Sequence, residues 1–300
     1  MTLRLSTEVA AALAAHQPLV ALESTITSRL GLPAPHNHAC LERVVEAIRA
    51  AGAVPAVTAV IEGELWAGIE PHHEALVLGA ETKLAERDLP VAMAARQTGV
   101  TTVSATVTIA GLAGIGVFAT GGIGGVHRGA EETFDVSSDL GAMARHPVIV
   151  VSAGAKAFLD LPKTLEVLET LSVPVLGYQT SELPAFWSRT SGIALPHRVE
   201  SATDIARIAQ ASRALGWRGG LLVANPIPRE EEIPAAEIAD AITAGLVEAA
   251  RSGATGPRAT PAVLAAIAAA TEGRSVPANL ALAESNARLA GEIAVALLRG

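Results

Sequence analysis

Short apolar runs rich in β-branched residues alternate with longer helical stretches along the whole chain, and this alternation is typical of α/β proteins. The runs are apolar throughout rather than on every second residue, so they suit strands that helices cover on both faces. The sequence therefore predicts the α/β class, with a central mixed, largely parallel sheet flanked by helices (α/β/α). The predicted strands are Leu19–Leu22, Ala56–Ile61, Ile115–Ala119, Val148–Ser152, Val173–Leu176 and Leu221–Asn225.

Stretches with helical periodicity separate these strands, and three of them follow the last strand. We therefore expect a helical C-terminal segment that packs on the sheet. No internal repeat or linker interrupts the pattern, so residues 1–300 are expected to form a single domain. The predicted helices are Ser6–Ala15, His38–Ala51, Pro90–Gln97, Ser104–Ala113, Leu165–Leu171, Ala202–Leu215, Ala235–Arg251, Pro261–Ala270 and Ala278–Leu298.

Charge and cysteine content narrow the functional class. The net charge of −8 argues against binding to a nucleic-acid polymer, which needs a basic face. The single cysteine, Cys40, cannot form an internal disulfide and suits a reducing compartment. Glycine, proline or charged residues break every apolar stretch before it reaches the length of a membrane span. We expect a cytoplasmic protein with a small-molecule substrate and no membrane partner.

Lysine is rare here, because only Lys83, Lys156 and Lys163 among the 22 basic residues are not arginine. A buried lysine can lose its proton, whereas an arginine cannot. Lys156 lies four residues beyond a predicted strand, at the carboxyl end of the sheet, where ligand crevices form in α/β proteins. Desolvation there would free the amine to attack a carbonyl and form a Schiff base. The alternative is a surface lysine at a loop edge.

Glu23 follows the predicted strand Leu19–Leu22 directly and is a second candidate for the same crevice. A carboxyl group there can carry protons if its surroundings raise its pKa. The alternative is a glutamate that caps a helix or pairs with an arginine.

Four glycines fall within five positions, 121–125, directly after a predicted strand. The run lacks the spacing of a Walker loop or a dinucleotide fingerprint. Two interpretations of the run are open. Its backbone amides bind an anion, or the run is a tight, buried connection between the strand and the following loop.

His127, Arg128 and four carboxylates follow this glycine run. Asp135 and Asp139 are four residues apart and would share a face if both lay on one helix. Ser137 alternatively caps a helix that begins near Asp139. A hard cation held by one carboxylate and waters is compatible with this segment, whereas zinc-type spacing is missing.

The segment FATGGIGGVHRGAEETFDVSSD at Phe118–Asp139 resembles the signature of the pseudouridine-5′-phosphate glycosidases, also called the indigoidine synthase A family. Other matches extend the resemblance over nearly the whole chain. They are VALESTI at Val20–Ile26, GAVPA at Gly52–Ala56, RDLP at Arg87–Pro90, TTV at Thr101–Val103, SAGAK at Ser152–Lys156, ELPAF at Glu182–Phe186, LVANPIP at Leu222–Pro228 and NARLAGEIAVAL at Asn286–Leu297.

The resemblance implies an enzyme that reversibly cleaves the C–C glycosidic bond of pseudouridine 5′-phosphate to uracil and ribose 5-phosphate. It implies that Lys156 forms a Schiff base with ring-opened ribose, that Glu23 transfers protons, and that Asp135 and waters hold one Mn²⁺ ion. It also implies a homotrimer. The implied substrate contacts are Lys83, Val103, Ser137, Ser138, Asp139, His127 and Asn279.

One departure lies close to Glu23. A His-Gly pair that is usual in the family is replaced by Arg29-Leu30-Gly31, which is apparently one residue longer. Two other functions would need the same pocket. One is a Schiff-base lyase or aldolase that acts on another sugar phosphate, and the other is a non-catalytic sugar-phosphate-binding protein.

Overall fold

The computed structural model describes residues 3–251 and 259–299. The predicted single domain also includes residues 1, 2, 252–258 and 300, which lie outside the described residues. Within the described residues, no helix is both long and apolar enough to cross a membrane.

One mixed sheet of eleven strands organises the described part of the chain. Its longest path has the order β1-β4-β3-β2-β7-β8-β11-β9-β10, and β6 joins it beside β3 and pairs with β5. All pairings are parallel except those of β3 with β4 and with β6. The predicted mixed, largely parallel sheet is therefore confirmed. The strands are β1 Leu3–Leu5, β2 Leu19–Leu22, β3 Val54–Ile61, β4 Glu64–Ala67, β5 Lys83–Leu84, β6 Gly99–Thr101, β7 Val117–Ala119, β8 Ile149–Ser152, β9 Val175–Tyr178, β10 His197–Val199 and β11 Leu221–Ala224.

Helices flank this sheet, and the predicted helical C-terminal segment is present. Each predicted helix has an observed counterpart; the start of α8 is displaced most, from Leu165 to Leu161. The described helices are α1 Thr7–Ala14, α2 His36–Ala50, α3 Glu74–Leu78, α4 Leu89–Ala94, α5 Val103–Ala113, α6 Ala130–Thr133, α7 Ser138–Arg145, α8 Leu161–Thr170, α9 Ala202–Ala214, α10 Ala235–Arg251, α11 Ala259–Ala270 and α12 Ser275–Leu298.

Helix α12 covers the centre of the sheet. It packs on β2, β7 and β8 and contacts α2 and α9. Gly291 permits the close approach of α2, because a Cβ atom added there would lie 2.6 Å from Cβ of Ala51 and 3.3 Å from the carbonyl oxygen of Ile48. The small residue therefore sets the spacing between α2 and α12, and α12 carries two buried asparagines, Asn279 and Asn286, towards the sheet.

We predict that Gly291→Ala lowers the free energy of unfolding by about 1–3 kcal/mol, because the added methyl group overpacks the α2–α12 contact. Urea unfolding followed by circular dichroism measures this change. Gly141→Ala in α7 is the matched control, because its added methyl group meets only the flexible end of Arg145. The control should be neutral or stabilising by about 0.5–1 kcal/mol. Equal effects of the two substitutions would contradict the packing argument.

Candidate active site

Three neighbouring parallel strands end at the same edge of the sheet. Glu23 follows β2 directly, Thr120 follows β7 directly, and Lys156 lies four residues after the end of β8. Leu22 of β2 is paired with Ala119 of β7, and Ala119 is paired with Val151 of β8. Glu23, Thr120 and the segment leading to Lys156 therefore leave the sheet side by side. The expectation that Lys156 lies at the carboxyl end of the sheet is confirmed.

A polar cavity of about 210 Å³ opens at this edge. Its walls come from the segments that follow β2, β7 and β8, from β5 and the residues after it, from the start of α5 and from the segment that leads into α7. It contains both proposed catalytic groups and most of the residues predicted to contact substrate or metal. The predicted residues that line it are Glu23, Lys83, Val103, His127, Asp135, Ser137, Ser138, Asp139 and Lys156.

A smaller apolar cavity of about 50 Å³ adjoins the polar one. Glu23, Lys83 and Lys156 line both cavities, and Asn279, the remaining predicted site residue, lines the apolar cavity. The structure thus brings all the predicted site residues to one place. Its apolar walls are Ile26, Leu30, Leu32, Phe186 and Leu264.

Glu23 is buried, with an exposed fraction of 8%. Burial raises the pKa of its carboxyl group, and the nearby charge of Asp139 raises it further. The positive charge of Lys156, a hydrogen bond from Thr120 and the charge of Lys83 oppose this rise. A carboxyl group whose pKa is raised, beside a lysine, is suited to take up and release protons in a reaction.

Lys83 lines both cavities together with Glu23 and Lys156. Burial lowers the pKa of its amine to about 8, and the positive charge of Lys156 contributes to the decrease. The carboxylates of Glu23 and Asp139 act in the opposite direction. Lys83 is thus a cation that is held in a partly desolvated site by two carboxylates.

Asp139 connects two walls of the polar cavity. Its Oδ1 accepts a hydrogen bond from the backbone N–H of Ser104 at 2.9 Å, and its Oδ2 accepts one from the backbone N–H of Gly124 at 2.8 Å. The carboxylate therefore fixes the start of α5 against the glycine run. Its charge faces the cavity, but its oxygens already serve the protein backbone.

The capping interpretation of Ser137 is confirmed. Its hydroxyl accepts a hydrogen bond from the backbone N–H of Asp139, and α7 begins at Ser138. Asp135 and Asp139 do not lie on one helix, because Asp135 precedes α7, so the condition for a shared helical face is not met. Both aspartates nevertheless line the polar cavity, since the chain turns around it between them.

The glycine run is a tight, buried connection, as one of its two interpretations predicted. The backbone N–H of Ile123 donates to the carbonyl of Gly154, and that of Gly124 donates to Asp139. A Cβ atom at Gly122 would lie 2.5 Å from the ring of Phe186, so a side chain cannot fit there. The backbone amides of Ile123 and Gly124 are therefore used for bonds within the protein.

Asp135 is the candidate ligand for a metal. Its side chain is 39% exposed, lines the polar cavity and lies 3.8 Å from Nδ1 of His127. Burial lowers the pKa of His127, Asp135 acts to raise it, and Lys156 to lower it. Among the residues that the structure describes, no three His, Cys, Asp or Glu side chains form a group that could hold a metal ion. A single accessible carboxylate fits a hard cation that keeps most of its water ligands.

Asn279 has a fixed orientation. Its Oδ1 accepts a hydrogen bond of 2.8 Å from Nε1 of Trp187, which is fully buried. Because the indole N–H can only donate, the amide oxygen must face Trp187 and the amide nitrogen is left for the apolar cavity. Asn279 can therefore donate a hydrogen bond to a carbonyl oxygen in that cavity.

Sequence reasoning assigned no role to Thr120 and Trp187, although each contacts a predicted site residue. A signal existed for Thr120, because it directly follows a predicted strand, as Glu23 does. Trp187 adjoins the ELPAF motif, but only the folded chain shows that it reaches Asn279.

Residues 8–296 match the family model described as indigoidine synthase A like protein. The chain belongs to this family. It is 53% identical to the pseudouridine-5′-phosphate glycosidase of Myxococcus xanthus over 302 residues, covering 100% of this chain and 99% of that protein. It is 50% identical to the protein of the same name from Solibacter usitatus over 299 residues, covering 99% and 100%. The resemblance seen in the sequence motifs is confirmed.

Two solved structures are also similar. The prealnumycin C-glycosynthase, solved in complex with ribulose 5-phosphate, has a TM-score of 0.90 and 36% identity, covering 99% of this chain and 97% of that one. An indigoidine synthase A-like protein from Thermotoga maritima has a TM-score of 0.88 and 35% identity, covering 98% and 96%. Both solved structures have the same fold as this chain.

We predict that Lys83→Met increases stability at pH 7 to 8, because it removes a desolvated charge. The folded-state pKa of about 8 lies below the unfolded value of 10.5, so the unfolded protein binds more protons between these values. The wild type therefore gains stability as pH rises from 8 to 10.5, and the advantage of the variant should shrink over this window. Urea unfolding at pH 7, 8, 9 and 10 measures it.

Lys163→Met is the matched control for this series. Lys163 pairs at the surface with Glu131 and Asp160, which raise its pKa. Its substitution should give no stabilisation at pH 7. If the free energies of unfolding of wild type and Lys83→Met differ by the same amount at every pH, the lowered pKa of Lys83 is contradicted.

Proposed function

We propose that this protein is a pseudouridine-5′-phosphate glycosidase, which reversibly converts pseudouridine 5′-phosphate and water to uracil and ribose 5-phosphate. The observation that carries the proposal is the position of Lys156 and Glu23 together in the wall shared by a polar and an apolar cavity. The names of the relatives that are 53% and 50% identical over the full chain support it.

The two cavities suit the two halves of this substrate. The polar cavity offers cations and hydroxyl groups to a ribose phosphate, including Lys83, Ser137 and Ser138. The apolar cavity suits the flat uracil ring, with the amide nitrogen of Asn279 directed at a carbonyl oxygen. The bond to be cleaved would then lie beside Lys156 and Glu23.

The chemistry requires a nucleophilic amine because the bond joins two carbons. A pair of carboxylates hydrolyses an ordinary glycoside by protonating the leaving oxygen, and a C–C bond has no such oxygen. Lys156 instead attacks C1′, the C1′–O4′ bond breaks, and Glu23 gives its proton to O4′. The nitrogen then releases a proton to Glu23.

Bond cleavage follows from this open-chain amine. Glu23 delivers its proton to C5 of uracil, and the lone pair on the lysine nitrogen forms a C=N bond as the C1′–C5 bond breaks. Uracil leaves, and water hydrolyses the Schiff base to release ribose 5-phosphate and the free amine. The reverse sequence forms the bond, so the imine carbon is the electrophile that uracil attacks.

We also propose Mn²⁺ as the metal, with Asp135 and waters as its ligands. The open carboxylate at the edge of the polar cavity supports this choice, and the bound ion would orient the phosphate and neutralise its charge. We further propose that the enzyme is a cytoplasmic homotrimer, on the strength of the family resemblance.

The wild-type protein should release uracil from pseudouridine 5′-phosphate in the presence of Mn²⁺, measured by chromatography. Lys156→Ala should lower kcat by at least about a thousandfold, because it removes the nucleophile. Lys163→Ala, at an exposed lysine, is the control and should retain wild-type activity. Uracil release by Lys156→Ala at the wild-type rate would contradict the mechanism.

The same assay separates the alternatives. A Schiff-base lyase for another sugar phosphate would release no uracil, although its activity would still depend on Lys156. A non-catalytic sugar-phosphate-binding protein would also release no uracil from pseudouridine 5′-phosphate. Calorimetry would nevertheless show that it binds ribose 5-phosphate.

Asp135→Asn should raise the Mn²⁺ concentration needed for half-maximal activity by at least about tenfold, because a neutral amide binds a hard cation more weakly than a carboxylate does. Titration of the activity with Mn²⁺ after treatment with a chelator measures this. Asp88→Asn is the control, because Asp88 also lines the polar cavity but its carboxylate accepts a hydrogen bond from the backbone of Ala85. An unchanged metal requirement in Asp135→Asn would remove Asp135 as the ligand.

A further inference from the structure

We propose that Thr120 is a positioning residue for the reaction, because its hydroxyl group holds one oxygen of the Glu23 carboxylate and leaves the other for proton transfer. This inference rests on the proposed function. Thr120 directly follows β7 and lies within the Phe118–Asp139 motif, but the family resemblance implied no role for it.

The contact itself is direct and buried. Oγ1 of Thr120 donates a hydrogen bond to Oε1 of Glu23. The exposed fractions are 3% for Thr120 and 8% for Glu23, so little water can compete for this oxygen. Because a hydroxyl hydrogen bond to a carboxylate is charge-assisted, it is stronger than one between neutral groups. The two oxygens of Glu23 are therefore not equivalent.

Thr120 is itself held from two sides. Its backbone N–H donates to the carbonyl of Val151 in β8 at 3.0 Å. Its carbonyl accepts a hydrogen bond of 2.8 Å from Nδ2 of Asn286, a fully buried residue of α12. The Oδ1 of Asn286 in turn accepts a hydrogen bond of 2.9 Å from Nδ2 of Asn225, which follows β11. A buried network with its groups paired fixes the position of the backbone that carries the hydroxyl group.

The backbone after Glu23 is anchored separately. The hydroxyl of Ser24 accepts a hydrogen bond of 2.9 Å from the backbone N–H of Thr101, and the hydroxyl of Thr25 donates to the carbonyl of Thr101 at 2.7 Å. Removal of the Thr120 hydroxyl therefore releases the carboxylate of Glu23 but not the chain around it.

The hydrogen bond also affects the proton affinity of Glu23. Burial favours its neutral form, and the ionisable groups that face it are Lys156, Lys83, Asp139 and the thiol of Cys40. The Thr120 hydroxyl favours the ionised form and so lowers the pKa of Glu23. Without it, Glu23 should hold its proton to a higher pH.

Thr120→Val tests the proposal, because valine has nearly the same shape and no hydroxyl group. The limb of the pH profile of kcat/KM that reports Glu23 should move to higher pH by about one to two units. Thr120→Ser keeps the hydroxyl group and should restore the wild-type midpoint. Thr271→Val is the control, because this buried threonine of the α11–α12 connection bonds only to nearby helical backbone. Its midpoint should not move.

A direct titration keeps this test independent of the proposed reaction. The side-chain carboxyl carbon of Glu23, labelled with ¹³C-glutamate and identified by its loss in Glu23→Gln, reports its pKa by NMR in the wild type and in Thr120→Val. An upward shift in Thr120→Val, reversed in Thr120→Ser, supports the proposal. An unchanged midpoint overturns it even if activity falls. Failure of the wild type to release uracil would instead overturn the proposed function and leave this titration valid.

Asn286→Ala tests the support behind Thr120. It should shift the pKa of Glu23 in the same direction by a smaller amount, since the hydroxyl group stays but is less well placed. In the double variant Asn286→Ala with Thr120→Val, the shift should equal that of Thr120→Val alone. An additive shift would show that Asn286 acts on Glu23 by another route and would contradict the network.

Discussion

The parallel pairing of β2, β7 and β8 is the constraint on which the rest of the site depends. Their register sets the residue after each strand beside the residue after its neighbour, so Glu23, Thr120 and the segment that carries Lys156 meet at one edge of the sheet. A slip of one residue in any strand would turn these side chains to the opposite face. Helix α12 stabilises the arrangement because it packs across all three strands.

Acidic and basic side chains lie close together where the two cavities meet, and each affects the pKa of its neighbours. Burial raises the pKa of Glu23 and lowers that of Lys83, and the opposite charges of the two groups act against both shifts. Asp139 contributes charge while its oxygens hold the backbone of Ser104 and Gly124. The site thus holds a carboxyl group whose pKa is raised beside an amine whose pKa is lowered, an arrangement that is typical of acid–base sites.

Much of the fold followed from local patterns in the sequence, whereas most of the substrate contacts were implied by the family resemblance. Continuous apolar runs such as Val148–Ser152 indicate buried strands, the helices have a clear periodicity, and the residues after β2 and β8 could be placed at the sheet edge from their spacing. The strands β1, β4, β5, β6 and β10 contain no such run and form through pairing with their neighbours. Contacts such as Thr120 to Glu23 and Trp187 to Asn279 join residues about a hundred positions apart, which no local pattern reveals.

The most direct test of the central claim is whether Lys156 bonds to the sugar. The protein is incubated with ribose 5-phosphate and borohydride, and its intact mass and proteolytic peptides are measured. The account predicts one added ribitol phosphate group, located on Lys156 and absent from Lys156→Ala. No adduct, or an adduct on Lys83 or Lys163 that forms equally well in Lys156→Ala, would contradict it.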